Sequence, residues 1–385
     1  MERILTTHTG SLPRPPDLEA MLIEESSTGK EGPQLGERAR AAIFEVVRLQ
    51  DQAGIDLLND GEQGKTGYAT YIRQRLTGFD GEANAYAPRR PELEAHPDFA
   101  ERWHQMRANT ALRAPACTSD IKVRDHEAVK LDIATLKEAA KEAGVDESRL
   151  FISAASPGVI THFFPDQHYG NREAYLGALA DAMKEEYQAI AAAGILLQVD
   201  CPDLAMSRGF HFADLSVEEF RREIHRNVEA LNHALAGIPR DRVRMHLCWG
   251  NYEGPHTFDV DLRDILEVVL EASPAGISLE AANPRHGHEW KVFEEVKLPD
   301  DRYLIPGVID STSNFVEHPD LVAQRILNYA SVVGRERVIA GTDCGFGTFA
   351  GWQNVVPSIV WAKLGTLAEG ARRASQALWG TPAAV

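Results

Sequence analysis

Cysteine is scarce. The chain has four, Cys117, Cys201, Cys248 and Cys344, spread over more than 200 positions. That is no disulfide framework, and it points to a reduced, cytoplasmic setting where thiols are free for metal or chemistry. No apolar run approaches the roughly 18 to 20 residues needed to span a bilayer. The opening MERILTTHTGSLPRP has no apolar core of the kind a secretion signal carries, and reads as a strand and a loop. Positive charge is short as well: 40 Lys and Arg stand against 57 Asp and Glu, a formal charge of −17. A basic face for nucleic acid or anionic membrane is thereby excluded. There is no internal repeat and no low-complexity tract.

What is present suits one large α/β unit. The 385 residues are 44% hydrophobic and 25% charged, enough to bury a core without staples. Eight short apolar or β-branched runs read as strands: Ile4–His8, Ile55–Asp60, Leu150–Ala154, Ile195–Asp200, Val243–Cys248, Ala275–Glu280, Tyr303–Ile309 and Val338–Asp343. Helical periodicity fills most of the gaps. Asn171 and Ser216 are candidate N-caps, and glycines close the helices. Eight strand–helix alternations predict a TIM-type (β/α)8 barrel spanning 1–385. A doubly wound sheet gives the same alternation, but no glycine-rich phosphate loop follows the first strand. Residues 79–146 break the rhythm. They read as an inserted excursion between strands 2 and 3, with a hairpin around Ala116–Val123 and a charged helix at Asp132–Ala143. The closing TPAAV reads as a frayed tail.

The chemically capable residues gather at the C-terminal ends of these strands, the face where barrels place their sites. His8 and Ser11 follow the first, Glu62 the second, and Ser156 the third. Asp200 closes the fourth, His246 and Cys248 the fifth, Glu280 the sixth, Asp310 the seventh, and Asp343 and Cys344 the eighth. His246 and Cys248 lie two apart on a strand and so share a face, with Met245 and Leu247 turned outward. With Glu280 and Cys344 they offer one nitrogen, two sulfurs and one oxygen, a donor set for zinc. Each of these residues also has a plainer use, because cysteine and histidine are common satisfied core groups. Glu62 and Asp200 either bind a substrate amine, act as bases, or cap a loop. His286 and His288 are either proton-transfer groups or solvated loop residues. Phe163 and Phe164 either stack on a planar ring or pack in the core. CWGNYEGPH reads as a loop shaping the pocket.

Seven blocks in order along the chain carry a resemblance: TTHTGSLPRP, NDGEQGK, QVDCPDLAM, MHLCWGNY, ISLEAANPRHGHEW, GVIDSTSNF and GTDCGFGTF. They resemble the cobalamin-independent methionine synthase family, in the catalytic C-terminal half of its long members. The resemblance implies a TIM-type barrel with zinc held by His246, Cys248, Glu280 and Cys344. It implies an amino-acid thiol such as homocysteine contacted by Ser11, Glu62 and Asp200. The reaction implied is transfer of a methyl group from a folate or related donor to the zinc-bound thiolate. Two positions depart from the family. Thr312 stands where its proton-donating histidine is expected, which leaves that role to His286 or His288, with Asp310 a further candidate catalytic residue, and Phe163 and Phe164 stand near its pterin-stacking tryptophan. The epoxyalkane–coenzyme M transferases are similar in the same way and give the alternative, a zinc-dependent thiol alkyltransferase or lyase. The uroporphyrinogen decarboxylase type shares the barrel without needing zinc. The expected partners are therefore a small thiol and a methyl or alkyl donor. A homo-oligomer is compatible with all of this.

Overall fold

The computed structural model describes residues 2–81, 90–107, 110 and 115–380. TPAAV and part of the excursion lie outside the described residues. Seven strands form one parallel sheet: β1 (Leu5–Thr6), β2 (Phe151–Ala155), β3 (Leu196–Asp200), β4 (Val243–Leu247), β5 (Gly276–Glu280), β6 (Tyr303–Ile309) and β7 (Ile339–Thr342). Their order is β1-β7-β6-β5-β4-β3-β2, so each strand after β1 lies beside its sequence neighbour, as helical crossovers demand.

The stave expected at Ile55–Asp60 is irregular, yet it closes the curl. Asp56 N and Leu57 N both donate to Thr6 O, and Leu58 bridges to Leu150. The reason is local. The Asp56 carboxylate takes Thr6 N at 2.9 Å and pairs with Arg3, so a side chain stands where ladder bonds would run. Around the barrel run helices including Leu35–Gln52, Ala128–Ala143, Arg172–Ala192, Val217–Ala234 and Pro319–Val333. Asn171 Oδ1 caps its helix by accepting Ala174 N at 2.8 Å, and Ser216 with Glu219 forms a capping box. Ala128–Ala143, part of the expected excursion, packs between Leu35–Gln52 and Arg172–Ala192 as a member of the ring. Among the described residues, no helix is long and apolar enough to cross a membrane.

The hairpin expected around Ala116–Val123 is one arm of a wider antiparallel ribbon. Thr118 N donates to Gly78 O and Thr77 N to Lys122 O, so its other arm precedes the excursion and clasps its base. From that base the helices Pro91–Ala95 and Pro97–Arg107 reach over the barrel mouth, where Arg90 and Trp103 line a cavity.

Candidate functional site

Inward-facing residues of neighbouring strands share layers. Gln198, Arg244 and Gly276 stand abreast, and Asp200, His246 and Ser278 form the next layer toward the mouth. Arg244 is fully buried and plugs the axis. It donates to Gln198 Oε1 at 2.8 Å, Thr7 Oγ1 at 2.9 Å and His8 O at 3.1 Å, with its guanidinium 3.8 Å from the Phe151 ring centroid. Gly276 makes room for it, since a Cβ there would lie 2.8 Å from Arg244 Cβ. His8 is tied to Gln50 at 2.7 Å, and Ser156 caps the helix Pro157–Phe163. Both serve the scaffold.

Above the plug, the ligand-capable atoms of His246, Cys248 and Cys344 all lie within 4.8 Å of one another, and all three residues are buried. The two sulfurs are 3.8 Å apart, which matches two Zn–S bonds of about 2.3 Å at a tetrahedral angle. His246 Nδ1 meets Ser278 Oγ at 3.2 Å, whereas its Nε2 is buried with no hydrogen-bond partner. Such an orphan costs on the order of 1–3 kcal/mol unless something satisfies it. Burial, with Arg244 nearby, pulls His246 down to about 3, so the imidazole is neutral and able to ligate. The hydrogen bond to Cys344, then burial, pushes the Cys248 thiol well up, and a divalent cation supplies the charge that reverses this. The three residues fit such an ion. Glu280, the fourth expected ligand, stands outside the trio. Its oxygens accept Trp249 N at 2.8 Å and Asn283 Nδ2 at 2.6 Å.

The same cavity holds a carboxyl pair. Glu62 sits at φ 55°, a left-handed conformation that costs a non-glycine residue on the order of 1–2 kcal/mol. Asp60 Oδ1 fixes that turn by accepting Glu62 N at 2.9 Å. Ser153 Oγ donates to Glu62 Oε1 at 2.7 Å, while Oε2 is buried without a partner. Asp200 accepts Gln198 Nε2 at 2.8 Å. Burial raises both carboxyls, and the Glu62 charge raises Asp200 further. A cationic group arriving between them would relieve both. Ser11 lines this cavity too, with its Oγ accepting Gly347 N at 3.3 Å.

Of the two expected phenylalanines, Phe163 faces the cavity. Phe164 is fully buried against Phe79 and belongs to the core. The two expected histidines also separate. His288 is exposed, where its ring serves no buried site. His286 is buried between Asp259 at 3.0 Å and Glu289 at 2.8 Å and stacks on Trp249; burial pulls it down, but the bonds to those carboxylates outweigh this and hold it up at about 10. It is a clamped cation behind Glu280. Asp310 borders a polar cleft that also touches Glu280 and Cys344, and it accepts Thr312 N and Oγ1, each at 2.8 Å. Sequence reasoning missed Arg90, Trp103, His162, Phe210 and Trp352, all of which line the cavity that holds the trio. Arg90 sits 3.7 Å from the Phe210 ring centroid and 4.4 Å from that of Trp103. It is the cation of an otherwise aromatic wall.

The family described as cobalamin-independent synthase, catalytic domain, matches residues 101–363. The chain belongs to this family. A 2-hydroxypropyl-CoM lyase of Xanthobacter autotrophicus is 24% identical over 373 residues, covering 89% of each chain. A methionine synthase of Saccharolobus solfataricus is also 24% identical, over 371 residues, covering 95% of this chain and 93% of its own. Among solved structures, a B12-independent methionine synthase from a Shewanella species in complex with selenomethionine superposes with a TM-score of 0.71 at 19% identity. It covers 98% of this chain and 100% of its own, a likeness of fold. The cobalamin-independent synthases are enzymes of methionine-synthase type. In this member, the strand ends of β4 and β7 bring together the His246, Cys248 and Cys344 trio.

Proposed function

We propose that this chain is a zinc-dependent methyltransferase acting on the sulfur of homocysteine or a close analogue, with methyltetrahydrofolate or a related donor. The observation that carries the reading is the sulfur and nitrogen trio opening into the same cavity as the Glu62–Asp200 carboxyl pair. His246, Cys248 and Cys344 would hold the zinc, with Glu280 as the proposed fourth ligand. When bound, zinc supplies the positive charge that lets a thiol ionise near neutral pH.

The chain's own residues do the rest. Glu62 and Asp200 hold the substrate ammonium, and Ser11 meets its carboxylate. Phe163 offers a ring face to the donor, and the aromatic wall keeps water from the nucleophile. His286 acts from behind, opposing burial's upward pull on Glu280. Asp310 and Thr312 border the cleft beside Cys344 and are proposed to orient the donor. Four free cysteines suit a reduced, cytoplasmic location for this chemistry.

A second reading, a thiol alkyltransferase or lyase acting on coenzyme M, has support of its own. The 2-hydroxypropyl-CoM lyase aligns over 89% of both chains, and Arg90 gives the cavity a cation for an anionic thiol. Calorimetric titration of zinc-loaded protein with homocysteine, 4-mercaptobutyrate and coenzyme M separates the two. Homocysteine is expected to bind at least about 10-fold more tightly than the deaminated thiol, and Glu62→Gln is expected to erase that margin. Equal affinities, or tighter binding of coenzyme M, would replace the first reading by the second.

A further inference from the structure

Alkylating a thiol frees a proton inside a cavity that is largely apolar. In R–SH plus CH3–X, the S–H bond breaks and its electron pair stays on sulfur to form the S–CH3 bond. X departs with the CH3–X pair and takes a proton from solvent. The thiol proton still has to leave the cavity, and the carboxyl pair is engaged with the substrate ammonium under the reading above, on which this inference rests. Among the described residues, His162 is the one imidazole lining that cavity outside the metal trio.

His162 lies in the last turn of the helix Pro157–Phe163, 4% exposed. It also lines a separate polar cleft on its far side, together with Arg172, Asp203, Ser207, His211 and Asn227. One ring therefore borders both spaces. It is held edge-on by Phe163, Phe210 and His211, with centroids at 5.1, 5.2 and 4.4 Å. His211 is fixed against it by a 2.9 Å contact from Nε2 to His162 O. The charged and titratable groups facing it are His211, Arg90 and Arg172, with Asp203 in the outer cleft. Burial, with these groups beside it, holds its basicity well below that of a free imidazole, so it is neutral at rest and quickly passes on any proton it takes. We propose that His162 takes the thiol proton from the reaction cavity and releases it into the outer cleft beside His211.

The test follows proton release directly. Zinc-loaded full-length protein is mixed with homocysteine in weak buffer containing a pH indicator in a stopped-flow instrument, and zinc content and thiol affinity are measured alongside. Wild type is expected to release one proton per thiol bound. His162→Gln, and His162→Phe, which keeps the ring packing, are expected to release it about 100-fold more slowly. Their zinc content and thiol affinity should stay unchanged. Release at the wild-type rate in both variants would overturn the proposal while leaving the thiol reading intact. Thiol that does not bind to wild type, or binds without releasing a proton, would overturn the thiol reading and this inference with it.

Discussion

One methyl group added at Gly345 probes how closely Ser11 is set against the metal trio. Gly345 follows Cys344, and its φ is outside the left-handed region, so alanine meets no backbone penalty there. The obstacle is steric. An added Cβ would lie 2.0 Å from Ser11 Oγ and 3.2 Å from Ser11 Cβ. The hydroxyl must withdraw by about 1 Å, a misplacement able to cost a positioned group up to about 100-fold. The hydrogen bond from Gly347 N to Ser11 Oγ is given up as well, worth about 1 kcal/mol. For a chain of this size that is roughly 1 °C in Tm. Gly345→Ala should therefore keep its fold and its zinc while homocysteine affinity falls about 10-fold or more. Differential scanning calorimetry, elemental analysis and thiol titration measure the three quantities. Unchanged thiol affinity in a folded, zinc-loaded variant would refute the contact assigned to Ser11.

Other expectations concern charge, packing and exposure. Asp200 carries a raised proton affinity in the folded state, from burial and then from Glu62, so wild type loses stability as pH climbs from the ordinary carboxylate value through the raised one. Asp200→Asn keeps the Gln198 bond and should be the more stable protein at pH 8. The gain should fade through about pH 4 and vanish below about pH 3, where both states hold the proton; a gain that is constant across urea melts at several pH values would contradict this. The same variant should lose homocysteine binding. Phe164→Ala should cost about 3–5 kcal/mol in chemical denaturation while sparing thiol affinity, whereas Phe163→Ala should act mainly on the KM of the donor. His288→Ala should turn over at the wild-type rate, because its ring is exposed, and a fall in kcat would return that residue to the reaction.

The barrel was readable because its signals are local. Period-two runs such as Arg244, His246 and Cys248 fix an inward face by themselves, and caps at Asn171 and Ser216 are set by the residue three positions on. The irregular stave at Ile55–Asp60 was less so, since its loss of pairing depends on Asp56 meeting Thr6 and Arg3, some 50 positions away. Phe163 and Phe164 look alike in sequence, and only the turn of a helix end decides which one sees the cavity. His286 and His288 differ for the same reason. One is turned inward onto Trp249 and the carboxylates of Asp259 and Glu289, and the other is left outside. Arg90 and Trp103 gave no signal at all. They reach the cavity through long-range packing against Phe210 and Tyr252, and nothing in the surrounding charge pattern points to a pocket.

Zinc stoichiometry is the most direct measurement, taken on purified wild type and on Cys248→Ser and Cys344→Ser after dialysis against a weak chelator. With the trio as the metal centre, wild type should retain one zinc per chain, and both variants should retain almost none while keeping the circular dichroism of a folded barrel. Wild type without zinc, or variants that hold as much as wild type, would contradict it.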